Sequence, residues 1–352
     1  MNQEQGRANF FQQCVERMLT YWRDHEAIKN IDITVLDRER HRILKNIALG
    51  LDLQPLWPLV KKLVIAFAPY MERRGFWDVW HGVLVQTIRM AKRAVDVEAE
   101  TTLTAFLARL CQRMNRPQDV VRHYRRVMEL ARQSGNQFEE ARACSNLGYL
   151  YIDGGRWWRS EVLSQHALTI FDTLANDHGR AHTHNHLGVL YSRQKIWEKA
   201  ESHLKHAATI WVSMDDQHGL IRVHGNLGQL YNSMAQSQKA IKHSKLALKH
   251  AMLAGDESLS GSLLYNLAVG YRQSGEIQQA HTHAKESESI SLKFSEERHL
   301  AFVWHQLALI HLQKGELSDA VHYKSQALKA YRQYELQEES SSLITEFNDL
   351  RD

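Results

Sequence analysis

Polar side chains recur in this sequence at a fixed interval. Asn146, His186, Asn226, Asn266 and Gln306 follow one another at steps of 40 residues. Four residues before each stand Arg142, His182, Arg222, Ser262 and Phe302, which in a helix places the two columns one turn apart on one face. A carboxamide donates and accepts at once, so a row of Asn can grip a peptide main chain whatever its side chains. Arg142, Arg222 and Arg272 add guanidinium groups suited to a carboxylate. Together these residues predict a protein or peptide ligand, with an acidic segment or a C-terminus favoured. The plainer alternative is that each Asn bonds the adjacent helix or water.

Other chemistry is less well supported. His178, His182 and His186 fall at i, i+4 and i+8, and His184 adds an HxH pair, spacings that can share a metal. No carboxylate or cysteine completes a ligand set nearby. Histidines also scatter through later segments, as at His203, His206, His243, His281, His283, His299 and His322, which fits use as polar helix residues, with pH-sensitive binding through His182 and His186 as the functional alternative. Cys14, Cys111 and Cys144 show neither CxxC spacing nor a disulfide framework and read as small buried side chains. There is no HExxH, GxSxG, dinucleotide glycine fingerprint or GxxxxGK[ST] loop. The sequence therefore assigns no catalytic residue, no metal and no cofactor, and predicts a non-enzyme.

The run from Arg109 to Arg132 carries Arg109, Arg113, Arg116, Arg122, Arg125, Arg126 and Arg132 against Asp119 and Glu129. A solvated helix face is the expectation. Nucleic-acid binding is the weaker reading, because no aromatic residues interleave the run for base stacking and the whole chain balances 44 basic against 40 acidic residues.

The elements that must position these residues follow the same 40-residue step. Leu147, Leu187, Leu227, Leu267 and Leu307 are each followed by Gly or Ala. Tyr151, Tyr191, Tyr231, Tyr271 and then His311 come four residues later. Ser160, Ala200, Ala240, Ala280 and Ala320 form a further column, as do Ala167, Ala207, Ala247, Ser287 and Ala327. Small residues recur where two helices approach closely. Gly75, Asn115, Gly155, Lys195, Ala235, Gly275 and Gly315 mark the turns, Trp77, Trp157 and Trp197 open second helices where a large ring can close the hairpin end, and Asp96, Asn136, Asn176, Asp216, Asp256 and Glu296 stand as N-caps before the next unit. Each unit thus reads as a helical hairpin. Leu107-Ala108 and Phe67-Ala68 extend the register backward, for seven units over residues 57–336.

This pattern of small residue, Leu-Gly, Tyr, Ala and Ala resembles the tetratricopeptide repeat over about four fifths of the chain. The units depart from it in lacking a terminal proline and in being 40 rather than about 34 residues long, the extra residues lengthening the helices as in the long-helix members found in kinesin light chains, spindle-orientation adaptors and bacterial quorum-sensing receptors. The resemblance implies an all-α, right-handed superhelical solenoid whose first helices line a concave groove, with Arg142, Asn146, His182, His186, Arg222, Asn226, Asn266, Arg272 and Gln306 facing it. Residues Leu36 to Leu49, Trp57-Pro58-Leu59 and Arg74-Gly75-Phe76-Trp77 are also similar to the start of the sensor region that follows the ATPase in bacterial STAND signalling proteins. That similarity implies a ligand-sensing adaptor that controls a separate effector.

Bulk composition agrees with helices throughout. Only four prolines occur in 352 residues and none follows Pro117, whereas loop-rich β folds use proline as punctuation. Residues 1–56 are expected to form an N-terminal helical cap, with Phe10, Phe11, Cys14, Met18 and Trp22 on one amphipathic face and Leu36, Ile43, Leu44 and Ile47 on another. Residues 337–352 are expected to form a C-terminal capping helix with Leu336, Leu343, Ile344, Phe347 and Leu350 inward. The polar segment Met1 to Ala8 gives no secretory signal and the longest apolar run is half a membrane span, so a cytoplasmic protein without a membrane partner is expected. Solenoid ends can pair, which leaves homo-oligomerisation open.

Overall fold

The computed structural model describes residues 3–254, 257–294 and 296–350, and these are helical almost throughout. The chain divides into two compact units, Met1–Leu174 and Ala175–Asp352.

The first unit begins with α1 (Gln3–Asp24), the short α2 (Glu26–Lys29), α3 (Ile33–Leu51) and a 3-10 turn at Gln54–Leu56. Three hairpins follow: α4 (Trp57–Arg73) with α5 (Trp77–Arg93), α6 (Val97–Arg113) with α7 (Pro117–Ser134), and α8 (Gln137–Asp153) with α9 (Trp157–Thr173). The second unit holds four more: α10 (Asp177–Arg193) with α11 (Trp197–Ser213), α12 (Gln217–Ser233) with α13 (Ser237–Ala254), α14 (Glu257–Gln273) with α15 (Ile277–Lys293), and α16 (Glu297–Gln313) with α17 (Leu317–Gln333). The helix α18 (Gln337–Asp349) closes it. The expected seven hairpins and terminal helices are all present, and the division between the units falls at a repeat junction.

The turns share one backbone solution. Val95, Asn115, Gly135, Gly155, Ala175, Lys195, Asp215, Ala235, Gly275, Gly315 and Glu335 all have φ between 49° and 83°. A left-handed residue thus ends helix after helix at a 20-residue spacing, whether or not it is glycine. The side chains of Asp96, Asn136, Asn176 and Asp216 accept from backbone N–H groups of the next first turn, as N-caps do. Glu296 stands in the N-cap place without a side-chain bond, and Asp256 lies outside the described residues.

Close helix contact explains the small columns. Ala200, Ala240, Ala280, Ala320, Ala167, Ala207, Ala247 and Ala327 are fully buried. At Gly188 a Cβ would lie 2.6 Å from Leu204 Cγ, and at Gly148 one would lie 2.7 Å from Ser164 Oγ. Ser287, the exception in its column, donates its hydroxyl to the Gly261 carbonyl at 2.7 Å, so its polarity is satisfied inside the hairpin stack.

Three expectations need correction. In α1 the buried face is Val15, Leu19 and Trp22, while Phe10, Phe11 and Met18 are exposed; the apolar residues of this helix spread around it, and α3 and α4 cover only one side. In α18 only Leu343 and Phe347 are buried, with Ile344 and Leu350 exposed. Trp157 does not close its hairpin end and stands exposed beside Trp158, whereas Trp77 is half-buried and donates from Nε1 to the Glu72 carbonyl. Among the described residues no helix is long and apolar enough to cross a membrane.

Candidate functional site

The predicted site residues stand on first helices, in both units. In the first unit, Arg142 on α8 pairs with Glu139 at 2.8 Å and lies 5.8 Å from the Phe138 ring centre. Burial pushes this guanidinium's pKa down, and neighbouring Arg109 adds to the effect while Glu139 opposes it. One turn on, Asn146 is half-buried. Its carboxamide has no hydrogen-bond partner among the described residues, which leaves both its donor and its acceptor for a ligand or water.

The arginine run of this unit is largely consumed internally. Arg109 meets Glu72 at 3.3 Å, Arg126 meets Glu100 at 3.0 Å, Arg122 meets Asp119 at 2.7 Å and Arg132 meets Glu140 at 2.7 Å. Arg125 reaches the Tyr151 hydroxyl. Ion pairs of this kind leave few cations to neutralise phosphates.

In the second unit, the rings of His178, His182 and His186 follow one another along α10 at centroid spacings of 4.5 and 6.3 Å. His182 also meets the edge of Trp211 at 5.2 Å. Burial, followed by the charges of His186 and His178, depresses its pKa to about 3, so this imidazole is neutral at physiological pH. One repeat further, Arg222 is exposed.

The carboxamides link consecutive first helices. Asn226 Nδ2 donates to Asn185 Oδ1 at 2.8 Å, Asn266 Nδ2 to the Gly225 carbonyl at 3.3 Å, and Gln273 Nε2 to the Asn232 carbonyl at 3.2 Å. Each spans 41 residues. These bonds use one amide donor apiece and leave the Oδ1 acceptors of Asn226 and Asn266 on the same face. Further along, Arg272 Nε donates to Gln306 Oε1 at 2.9 Å, and Arg272 lies 3.6 Å from Glu346 on α18. Gln306 is buried. Arg272 and Gln306 therefore engage each other and the terminal helix.

A cavity of about 300 Å³ opens beside Asn226, lined by Val189, Ser192, Arg193, Trp197, Gln229 and Ser233. This size is at the lower end for a small-ligand site. Arg222, Asn226, Gln229 and Ser233 continue one helical face at i, i+4, i+7 and i+11. Arg193 is exposed and has no ion-pair partner among the described residues. Sequence reasoning stopped at the asparagine column and missed Arg193, Gln229 and Ser233; carrying the helical spacing two turns beyond Asn226 would have reached the last two.

Tetratricopeptide-repeat family models match residues 102–138 and 179–252. The chain is a tetratricopeptide-repeat protein. Solved structures share its fold along nearly its whole length. A Rap protein complexed with competence and sporulation factor is 13% identical, with a TM-score of 0.63 over 96% of this chain and 98% of that one. The apo quorum sensor NprR from B. thuringiensis is 15% identical, with a TM-score of 0.54 over 97% of this repeat protein and 99% of NprR. A STAND signal-transduction ATPase with a tetratricopeptide-repeat sensor, from Pyrococcus horikoshii, is 15% identical with a TM-score of 0.61; the match spans 97% of the present chain and 55% of that one. No curated protein sequence matches this chain.

Proposed function

We propose that this repeat protein is a non-enzymatic, ligand-sensing regulatory adaptor that binds a short peptide or protein segment through its first helices. The observation that carries the reading is the polar face of Arg222, Asn226, Gln229 and Ser233 beside the Arg193 cavity. It offers amide acceptors and donors for a main chain, and two exposed guanidinium groups for a carboxylate. The fold is shared along nearly its whole length with a Rap protein solved with competence and sporulation factor and with the quorum sensor NprR, which supports sensing over static scaffolding. The likeness to the STAND sensor supports it in the same general sense, with the effector on a separate chain.

Within this reading Arg222 and Asn226 are direct ligand contacts in the second unit, where His182, His186 and Asn266 stand on the same kind of first-helix face, and Arg142 and Asn146 are ligand contacts of the first unit taken by itself. Arg272 and Gln306, already held by each other and by Glu346, act as the end of the site.

The test is fluorescence anisotropy of the full chain against a labelled library of short linear peptides, acidic and basic, with free or amidated C-termini. Acidic or free-carboxylate peptides should bind best. Arg193→Ala and Arg222→Ala should each weaken them by about tenfold, the scale of one charge-assisted hydrogen bond. Binding that ignores both arginines would remove the site. X-ray scattering profiles that coincide with and without a bound peptide would remove the sensing role.

A further inference from the structure

The repeat supplies its own internal comparison, and one hairpin departs from it in a concerted way. In three successive hairpins a first-helix tyrosine stacks on a second-helix histidine: Tyr191 on His203, Tyr231 on His243 and Tyr271 on His283, with centroids 5.4, 5.4 and 5.5 Å apart. In the last hairpin the pair is inverted. His311 of α16 stacks on Tyr323 of α17 at 5.3 Å and 14°. The exchange preserves the stack but moves the imidazole to the turn end of the first helix.

The surroundings change with it. Lys199 lies 5.0 Å from the Tyr191 ring centre and Lys239 lies 5.2 Å from that of Tyr231. The residue in that column of the last hairpin is Asp319. Tyr231 donates its hydroxyl to Glu201 of the preceding hairpin at 2.8 Å, and the matching pair here is His311 with His281, whose rings meet edge to face at 5.1 Å. The lysine of the same hairpin has given way to a carboxylate beside the imidazole, while Tyr323 keeps a cation from the preceding hairpin, Lys285, 5.5 Å from its ring centre.

These changes bring ligand atoms together. His311 Nδ1 lies 2.6 Å from Glu316 Oε2 and 4.0 Å from Asp319 Oδ2, and the three ligand atoms all fall within 4.8 Å of one another. His311 is buried, Glu316 half-buried and Asp319 exposed, so the cluster has a fixed base and an open side. Lys314 Nζ lies 2.7 Å from Glu316 Oε1 and donates to Oε2 at 2.9 Å, a bond that an incoming ion would displace. Lys314 offsets one of the two carboxylate charges and leaves the other to favour a cation.

We propose that His311, Glu316 and Asp319 form a divalent transition-metal site at the α16–α17 turn, with His281 as an adjoining imidazole from α15. One nitrogen and two carboxylate ligands with open positions suit Zn²⁺, Co²⁺ or Ni²⁺ better than Mg²⁺ or Ca²⁺, which take all-oxygen sets. The ligands come from the end of one helix and the start of the next, so the ion pins the last turn, and with His281 it ties that turn to the preceding hairpin. A second cluster, Glu140, Cys144 and His166, is less suited. Burial pushes the Cys144 thiol up to about 12, and a thiol must ionise to ligate.

Titration of the full chain with Co²⁺, read by visible absorption, and with Zn²⁺, read by calorimetry, tests the proposal. The chain has 21 histidines, so the comparison with variants decides. The exchange variant His311→Tyr/Tyr323→His keeps composition and stacking, takes the imidazole away from Glu316 and leaves it only Asp319, four residues earlier on α17. It should weaken the tightest equivalent of metal by more than about tenfold. Asp319→Asn, at an exposed position, should weaken that equivalent by more than about tenfold, the scale of lost support at metal sites. Equal stoichiometry and affinity in the wild type and Asp319→Asn would overturn the site, even if the exchange variant failed to fold.

Discussion

Asn226 donates its side-chain amide to the side-chain oxygen of Asn185 across 2.8 Å, joining two consecutive first helices. Asn185 is buried while Asn226 is half-buried, so one carboxamide serves packing on its inner side and keeps its acceptor for a ligand on the outer side.

Replacing Asn226 should therefore affect stability as well as binding. Asn226→Ala strands a buried acceptor on Asn185, at a cost of about 1 to 3 kcal/mol. Asn226→Asp can keep a bond, because the Asn185 amide can turn to donate its Nδ2 to the carboxylate, and should cost less. The urea midpoint should fall most in Asn226→Ala with an unchanged slope, and an unchanged midpoint there would mean that the bond contributes nothing.

Helix approach at the hairpins predicts a second effect. At Gly188 an added Cβ would stand 2.6 Å from Leu204 Cγ and 3.3 Å from the Ala200 carbonyl. The helical preference of Ala over Gly, about 1 kcal/mol, is then opposed by overpacking of about 1 to 3 kcal/mol. Gly188→Ala should lower stability. Gly82→Ala, where nothing lies within 4 Å of the new Cβ, should raise it. Thermal melting of the two variants side by side distinguishes them.

How far the sequence reveals this molecule depends on the scale considered. The 40-residue register identifies the hairpins, because helix–helix contact demands small residues at fixed positions, and Gly188, Ala200 and Ala207 with their counterparts meet that demand in the last five of them. The orientation of single residues is less legible. Phe10 and Met18 carry the same apolar signal as Val15 and Leu19, and only the position of α3 and α4 determines which pair is buried. The site behaves alike: the spacing puts Asn226 and Asn266 on one face, but their bonds to Asn185 and the Gly225 carbonyl depend on how one first helix seats against the next. The histidine excess also gains an explanation. His184 and His203 approach at 2.9 Å and His224 and His243 at 3.1 Å, Nδ1 to Nδ1, which places these histidines inside the hairpins as paired, half-buried groups.

Those pairs make stability depend on pH. Burial first, and neighbouring histidines second, depress the pKa of both His184 and His224 to about 4 from an ordinary 6.5. Burial does the same at His299. As pH falls from 6.5 the unfolded chain takes up protons that the folded chain refuses, so stability declines. The loss runs down to about pH 4, where the folded forms protonate as well. The urea midpoint should therefore drop between pH 7 and pH 5. His184→Gln/His224→Gln should flatten that dependence, and an unaltered pH profile in this variant would rule out these two groups as its source.

The last prediction concerns the turns. Ala235 holds φ at 53° between α12 and α13, a conformation that costs an L-residue with a Cβ roughly 1 to 2 kcal/mol. Glycine adopts it freely, but it raises the entropy of the unfolded chain, which costs about 0.4 to 1 kcal/mol against alanine. The first term is the larger. Ala235→Gly should thus stabilise the protein by roughly 0.5 to 1 kcal/mol. The same exchange at Ala200, inside α11 and fully buried, should destabilise it by about 1 kcal/mol from helix propensity alone, and further through the lost methyl contact. Denaturant melts of the two variants should move in opposite directions, and movement in the same direction would show that the left-handed turn is not what limits this junction.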